Sequence, residues 1–180
     1  MRRLVWLACA LAGTAGCADI ATPSRTPRND PSDPVNPGEI FRWPASRIPV
    51  RYFVDDRGTL PALVARGLRI WERQFLYGEF RGVIVSDSTA ADVIVRWQDS
   101  VPPDVPPDTS GAVGACGGVT SYLIDSTNTI TDPLRVLVRP NLGYTLAQVA
   151  ACLPRVTAHE LGHSLGILSH AAGTGELMHG

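Results

Sequence analysis

The run His159-Glu160-Leu161-Gly162-His163-Ser164-Leu165-Gly166, followed by His170, constrains this chain more than any other segment. On an α-helix, positions four apart are separated by about 40° around the axis and by one turn along it. His159 and His163 would therefore present their imidazoles side by side, close enough to grip one metal ion. Glu160, one position on, can reach a water at that ion without displacing a ligand. The pattern works only on a helix, where it reads as zinc with a general base. Gly166 can close that helix in a left-handed conformation that other residues reach only at a cost. The chain can then turn back and offer His170 as a third ligand. All four histidines lie at or beyond position 159. Scattered core or surface histidines would not concentrate in this way.

A length of 180 residues with 44% hydrophobic content suffices for one domain with a substantial core. Residues 1–17 read as an export signal, with Arg2 and Arg3 as its positive start and Leu4 to Ala12 as its apolar stretch. That stretch is too short to span a bilayer. Thr14-Ala15-Gly16-Cys17 supplies a small-residue cleavage region, and its last three residues resemble a bacterial lipobox with Cys17 as the lipidated residue. Thr14 stands where a lipobox usually has Leu, so plain secretion and retention of the segment stay open beside lipidation. The expected location is outside the cytoplasm, as a cell-envelope lipoprotein or a secreted protein. Without Arg2 and Arg3, 14 basic residues face 17 acidic ones, a net charge of −3. Nothing in that balance favours nucleic acid or an anionic membrane, so membrane contact is expected only through an N-terminal lipid.

With Cys9 and Cys17 assigned to the signal and anchor, Cys116 and Cys152 remain. Two thiols in an exported domain suggest a disulfide; the alternative is two buried, unpaired thiols. Neither belongs to a CxxC pair, which argues against zinc at either.

Residues 18–38 carry five prolines among Ser, Thr, Asp and Asn and read as an extended linker. The folded domain spans 39–180. Ile48 to Val54 alternates as a strand, and Asp55 to Gly58 is a turn. Leu60, Leu63, Val64, Leu68, Trp71, Phe75 and Leu76 recur at helical spacing, so Leu60 to Tyr77 is an amphipathic helix with Thr59 as N-cap and Pro61 in its first turn. Gly82 to Ser86 and Ala91 to Trp97 are further strands. The loop Val101 to Asp108 carries two Pro-Pro pairs. Gly111 to Gly118 lacks a phosphate-binding pattern and reads as a bulged or closely approached strand edge. Val119 to Asp125 and Ile130 to Val138 form a hairpin around Ser126 to Thr129. Thr145 to Leu165 is helical in pattern but contains Pro154, so either two helices meet there or one is kinked.

HELGHSLG, the histidine after it and Met178 together resemble the metzincin clan of zinc endopeptidases, and within it the matrixin group. Weaker similarity runs through RWPASRIPVRYFV, ADVIVRW and GGVTSYLID…ITDPLRVLV. The resemblance implies an α+β, zincin-like fold: a twisted mixed sheet packed on a backing helix and an active-site helix, with an edge strand that binds substrate in extended form. It maps the zinc ligands onto His159, His163 and His170, the base onto Glu160 and the Met-turn methionine onto Met178. The family places three residues from the glycine to the third histidine; here Gly166 to His170 is four, with Ser169 at the usual ligand position. From His170 to Met178 the count is eight, as in matrixins, which confines the insertion and favours His170. Ser169 and His179 are the alternatives. The chain stops at Gly180, two residues after Met178, where the family continues into another helix, so the C-terminal part is expected to be short or missing. Calcium at Asp125, Asp132 or other loop acids stays open, although no pattern supports it and Asp in surface turns is commoner.

The activity implied is exported, zinc-dependent peptide-bond hydrolysis. Zinc lowers the pKa of a water towards ~7, and Glu160 takes the proton and returns it to the leaving amine. Two other readings compete. One is a catalytically degenerate zinc-binding envelope lipoprotein that serves as a binding or scaffold module. The other is a zinc hydrolase acting on non-peptide envelope material. The expected partner is a protein or peptide substrate. Substrate specificity and oligomeric state are not encoded in any of these patterns.

Overall fold

The computed structural model describes residues 41–75, 77, 79–98, 115–121, 123–127, 129–131, 133–141, 143–168, 170 and 177–178. The signal segment 1–17 with Cys17, the linker 18–38, the loop 101–108, Asp132, Ser169 and His179 lie outside the described residues.

Strand β1 (Val50–Val54) shows the alternation expected of it, with Val50, Tyr52 and Val54 buried and Arg51 exposed. It begins two residues later than expected, after a 3-10 turn at Ala45–Arg47, because Pro49 has no N–H to give to a ladder. Strands β2 (Gly82–Val85), β3 (Val93–Trp97), β4 (Cys116–Ser121) and β5 (Leu134–Pro140) complete one sheet in the order β2-β1-β3-β5-β4. All neighbours are parallel except β4, which runs antiparallel to β5 at the edge. The domain is thus α+β with a mixed five-stranded sheet.

The expected hairpin exists with shifted strand bounds. Thr120 pairs with Val136 and Val119 with Leu137, so β4 starts earlier and β5 later than the sequence suggested. Pro133, lacking an N–H, keeps the ladder from starting before Leu134. Beyond the strands, the Ile124–Ile130 bridge is what remains of the expected pairing near the turn.

One sheet face carries Val50, Tyr52, Val54, Val93, Val95, Leu134, Val136 and Val138, all buried. Two helices pack beneath it. Helix α1 (Leu60–Glu72) buries Leu60, Val64, Leu68 and Trp71. Pro61 sits in its first turn as expected, whereas Thr59 makes no side-chain capping bond. The helix ends before Tyr77, and the Gly82 N–H donates to Glu72 Oε1 at 3.1 Å where the chain returns to β2. Helix α2 (Leu146–His163) opens with a capping box between Thr145 and Gln148. It continues as one helix through Pro154, which excludes the two-helix alternative. Pro154 deprives the Ala150 carbonyl of its helical partner, but Ala150 is exposed, so water can replace it.

Gly67 of α1 lets the two helices meet closely: a Cβ there would lie 2.6 Å from Leu161 Cδ1 and 3.4 Å from Ala158 Cα. Trp71 Nε1 then donates to the Ala158 carbonyl at 2.7 Å. Among the described residues no helix is long and apolar enough to cross a membrane.

Candidate metal centre

The last turns of α2 bring His159 and His163 onto one face, and the chain beyond it delivers His170. Their Nε2 atoms form a triangle with sides of 3.1 Å (His159–His163), 3.2 Å (His159–His170) and 3.2 Å (His163–His170). Nitrogens of a tetrahedral zinc site, with Zn–N near 2.0–2.1 Å, lie about 3.3 Å apart. The observed spacing fits that requirement, and among the described residues these three histidines form the group able to hold a metal ion.

The other ring nitrogens fix the tautomers. His159 Nδ1 lies 2.9 Å from the Leu177 carbonyl and His163 Nδ1 2.7 Å from the Ile167 carbonyl. A carbonyl can only accept, so each Nδ1 carries the proton and donates. Each Nε2 lone pair is thereby left for the centre of the triangle. Burial pushes His163 down to about 4, and its two histidine neighbours act in the same direction, so it is neutral at physiological pH.

Tight packing beyond the helix sets this geometry. The chain leaves α2 through Gly166 at φ 90°, and the Gly166 N–H donates to the His163 carbonyl at 3.0 Å. Ser164 is buried: its hydroxyl donates to the Leu161 carbonyl at 2.7 Å and accepts from Tyr52 at 3.0 Å. Trp43 Nε1 donates to the Ser164 carbonyl at 2.8 Å, tying the start of the domain to the helix end. Met178 is fully buried against Gly162, where a Cβ would collide with its sulfur and with Trp71. The neighbouring Leu177 supplies the carbonyl that orients His159.

Glu160 is 5% exposed and turned towards β4. Its Oε2 accepts from Thr120 Oγ1 at 2.7 Å. Burial raises its carboxyl to about 7, although the Thr120 bond pulls the other way. At that value the group can both accept and release a proton near neutral pH.

Cys116 and Cys152 are joined to each other across a separation of 36 residues, linking β4 to α2 ahead of the ligands. Asp125 is occupied by its own turn, with Oδ1 accepting from the Thr127 and Thr129 N–H groups and the Thr127 hydroxyl.

No family model matches the chain, and no curated protein matches it.

Three participants escaped the sequence reading: Thr120 and the Leu177 and Ile167 carbonyls; Gly118 belongs to the run read as a closely approached edge, and what approaches it is Glu160. Backbone carbonyls leave no residue-type signal. Thr120 is 40 residues from Glu160, and its only hint was the glycine-rich run before it, read as a closely approached edge.

Proposed function

We propose that this chain is an exported zinc-dependent endopeptidase of matrixin-like, metzincin type. The observation that carries the reading is the triangle of three Nε2 atoms at 3.1–3.2 Å, two of them held by carbonyls in the ligating tautomer, with Glu160 next to the first ligand on the same helix. Three imidazoles suit catalytic zinc, whose fourth position is kept for water or substrate, and His159, His163 and His170 would hold it. When bound there, zinc supplies the Lewis acidity that acidifies a water and polarises a carbonyl.

The remaining roles belong to the chain. Glu160 takes a proton from the attacking water and later gives it to the leaving amine, which its raised pKa permits. The Leu177 and Ile167 carbonyls keep the imidazoles aimed and neutral. Met178 forms an apolar floor under the ligand helix. The antiparallel edge strand β4, lying against the helix that carries the ligands, is suited to align an extended peptide by strand addition. The α+β arrangement of sheet and helices agrees with a zincin-like domain.

The test is metal analysis together with a quenched-fluorescent peptide library. One zinc per chain, cleavage of some peptides, and loss of at least about 100-fold in kcat for Glu160→Ala with zinc retained are expected. Zinc without turnover on any peptide would turn the reading to a binding or scaffold lipoprotein. Absence of zinc would sink the enzyme readings altogether. His170→Ala should weaken zinc binding; if Ser169→Ala does so instead, the third ligand is misassigned.

A further inference from the structure

We infer that strand β4 positions the general base, with Thr120 holding the Glu160 carboxylate and Gly118 making the space that it fills. This role rests on the peptidase reading above. A glutamate side chain has three rotatable bonds, and the helix fixes only where Glu160 begins. A general base must nevertheless sit within hydrogen-bond reach of its proton. The restraint has to come from outside the helix.

Three alternate residues of β4, which share one strand face, all meet α2. Cys116 is bonded to Cys152. Gly118 faces the Glu160 side chain: a Cβ at 118 would overlap Glu160 Cγ and lie 2.7 Å from both Cδ and Oε1. Cγ is not the far end of the side chain, so Glu160 could not stay in place beside an alanine. Thr120 donates its hydroxyl to Glu160 Oε2 at 2.7 Å, and the same hydroxyl is 3.1 Å from the Glu160 main-chain carbonyl. The hydroxyl has one proton to give, so the shorter contact, to the carboxylate, is the bond that holds Glu160, with its main-chain carbonyl as a weaker, shared acceptor. Among the described residues Thr120 supplies the one hydrogen bond shown to that carboxylate. Thr120 acts through Glu160 and is a positioning residue.

The experiment compares the zinc-loaded full chain with its Thr120→Val, Thr120→Ser and Gly118→Ala variants on a peptide that the wild type cleaves. Thr120→Val keeps the shape and removes the hydroxyl. It should lower kcat about 10- to 100-fold, the usual consequence of misplacing a catalytic group by about 1 Å. KM and zinc affinity, the latter measured by chelator competition, should not change. Thr120→Ser should recover most of the loss, and Gly118→Ala should lose kcat as Thr120→Val does. A crystal structure of Thr120→Val should show the Glu160 carboxylate swung away from Gly118. Unchanged kcat in Thr120→Val, no rescue by serine, or a parallel fall in zinc affinity would each overturn the assignment. The last would place the effect on the ligand helix. If the wild type binds zinc but cleaves nothing, the peptidase reading fails by itself. The crystal structure then decides on β4 alone: a carboxylate unmoved in Thr120→Val overturns the positioning role.

Discussion

Gly166 carries two constraints that no other residue type satisfies together. Its φ of 90° lies where a side chain is strained, and a Cβ there would run into the Phe41 carbonyl oxygen, which is backbone and cannot swing aside. Gly166→Ala should therefore cost more than the roughly 1 kcal/mol of left-handed strain, on the order of 2–3 kcal/mol in all. Urea unfolding of the metal-free variant measures it, and a loss below about 0.5 kcal/mol would show that the chain simply reroutes at this position. The sequence revealed this residue, as it revealed His159, Glu160 and His163, because their relation is local: helical spacing alone puts two imidazoles on one face and a carboxylate beside them. Gly162 and Gly118 were not legible in that way. Each makes room for a partner distant in sequence, Met178 and Trp71 for the first, Glu160 for the second. Spacing within one element says nothing about which element will press against it.

Strand β4 and helix α2 form the working unit of the candidate site, since one holds Glu160 and the other presents it. Their covalent link closes a long loop, and constraining such a loop in the unfolded chain is worth about 3–4 kcal/mol in the chain-entropy account. The double variant Cys116→Ser/Cys152→Ser should lose stability by about that amount in urea unfolding, and reduced wild type should unfold with it. Equal midpoints for oxidised wild type and the double variant would show that the bond adds nothing to the hydrogen bonds and packing already between these elements. At this scale the sequence was readable where amphipathic periodicity was strong, as in β1, β3 and α1. It misjudged the bounds of the β4–β5 hairpin, because strand-like residues continue past Ser121 while the glycine-rich run before it reads as a strand edge separate from the hairpin. The register that forms brings Cys116, Gly118 and Thr120 onto α2, and that preference exists only once the helix is present. The Pro154 ambiguity has the same origin. An exposed carbonyl at Ala150 tolerates the missing N–H, and exposure is a property of the packed molecule.

Across the whole domain, the buried charge of Asp92 joins the sheet's three central strands, and the sequence reading passed over it as one residue of a strand. Asp92 is 0% exposed at the entry to β3. Its N–H donates to the Arg51 carbonyl of β1 at 2.8 Å, and its carbonyl accepts from Leu134 N–H of β5 at 2.9 Å. The carboxylate accepts from Arg51 N, Nε and Nη2 and from Arg47 Nη1, at 2.8–3.0 Å. Burial by itself would raise the carboxyl, but the hydrogen bonds from Arg51 and Arg47 and the Arg51 charge outweigh it and hold the group below its ordinary value of 3.8. A depressed folded-state pKa means that the unfolded chain takes up the proton first as pH falls. The contribution is thus fully present above about pH 4 and is lost on descent through the lower folded value. Both arginine side chains are more than a third exposed, so solvent screens the ion pairs and the hydrogen bonds are the larger part. Asp92→Asn keeps the shape but gives up charge-assisted acceptance and sets an amide against arginine donors. It should lower stability at pH 7 by about 1–3 kcal/mol. The more discriminating measurement is unfolding free energy from pH 7 to pH 2 for both proteins. Wild type should lose stability below pH 4 more steeply than Asp92→Asn, so that the curves converge in acid. Curves that stay parallel throughout would mean that Asp92 titrates alike in the folded and unfolded chains, and that its carboxylate adds no pH-dependent stability.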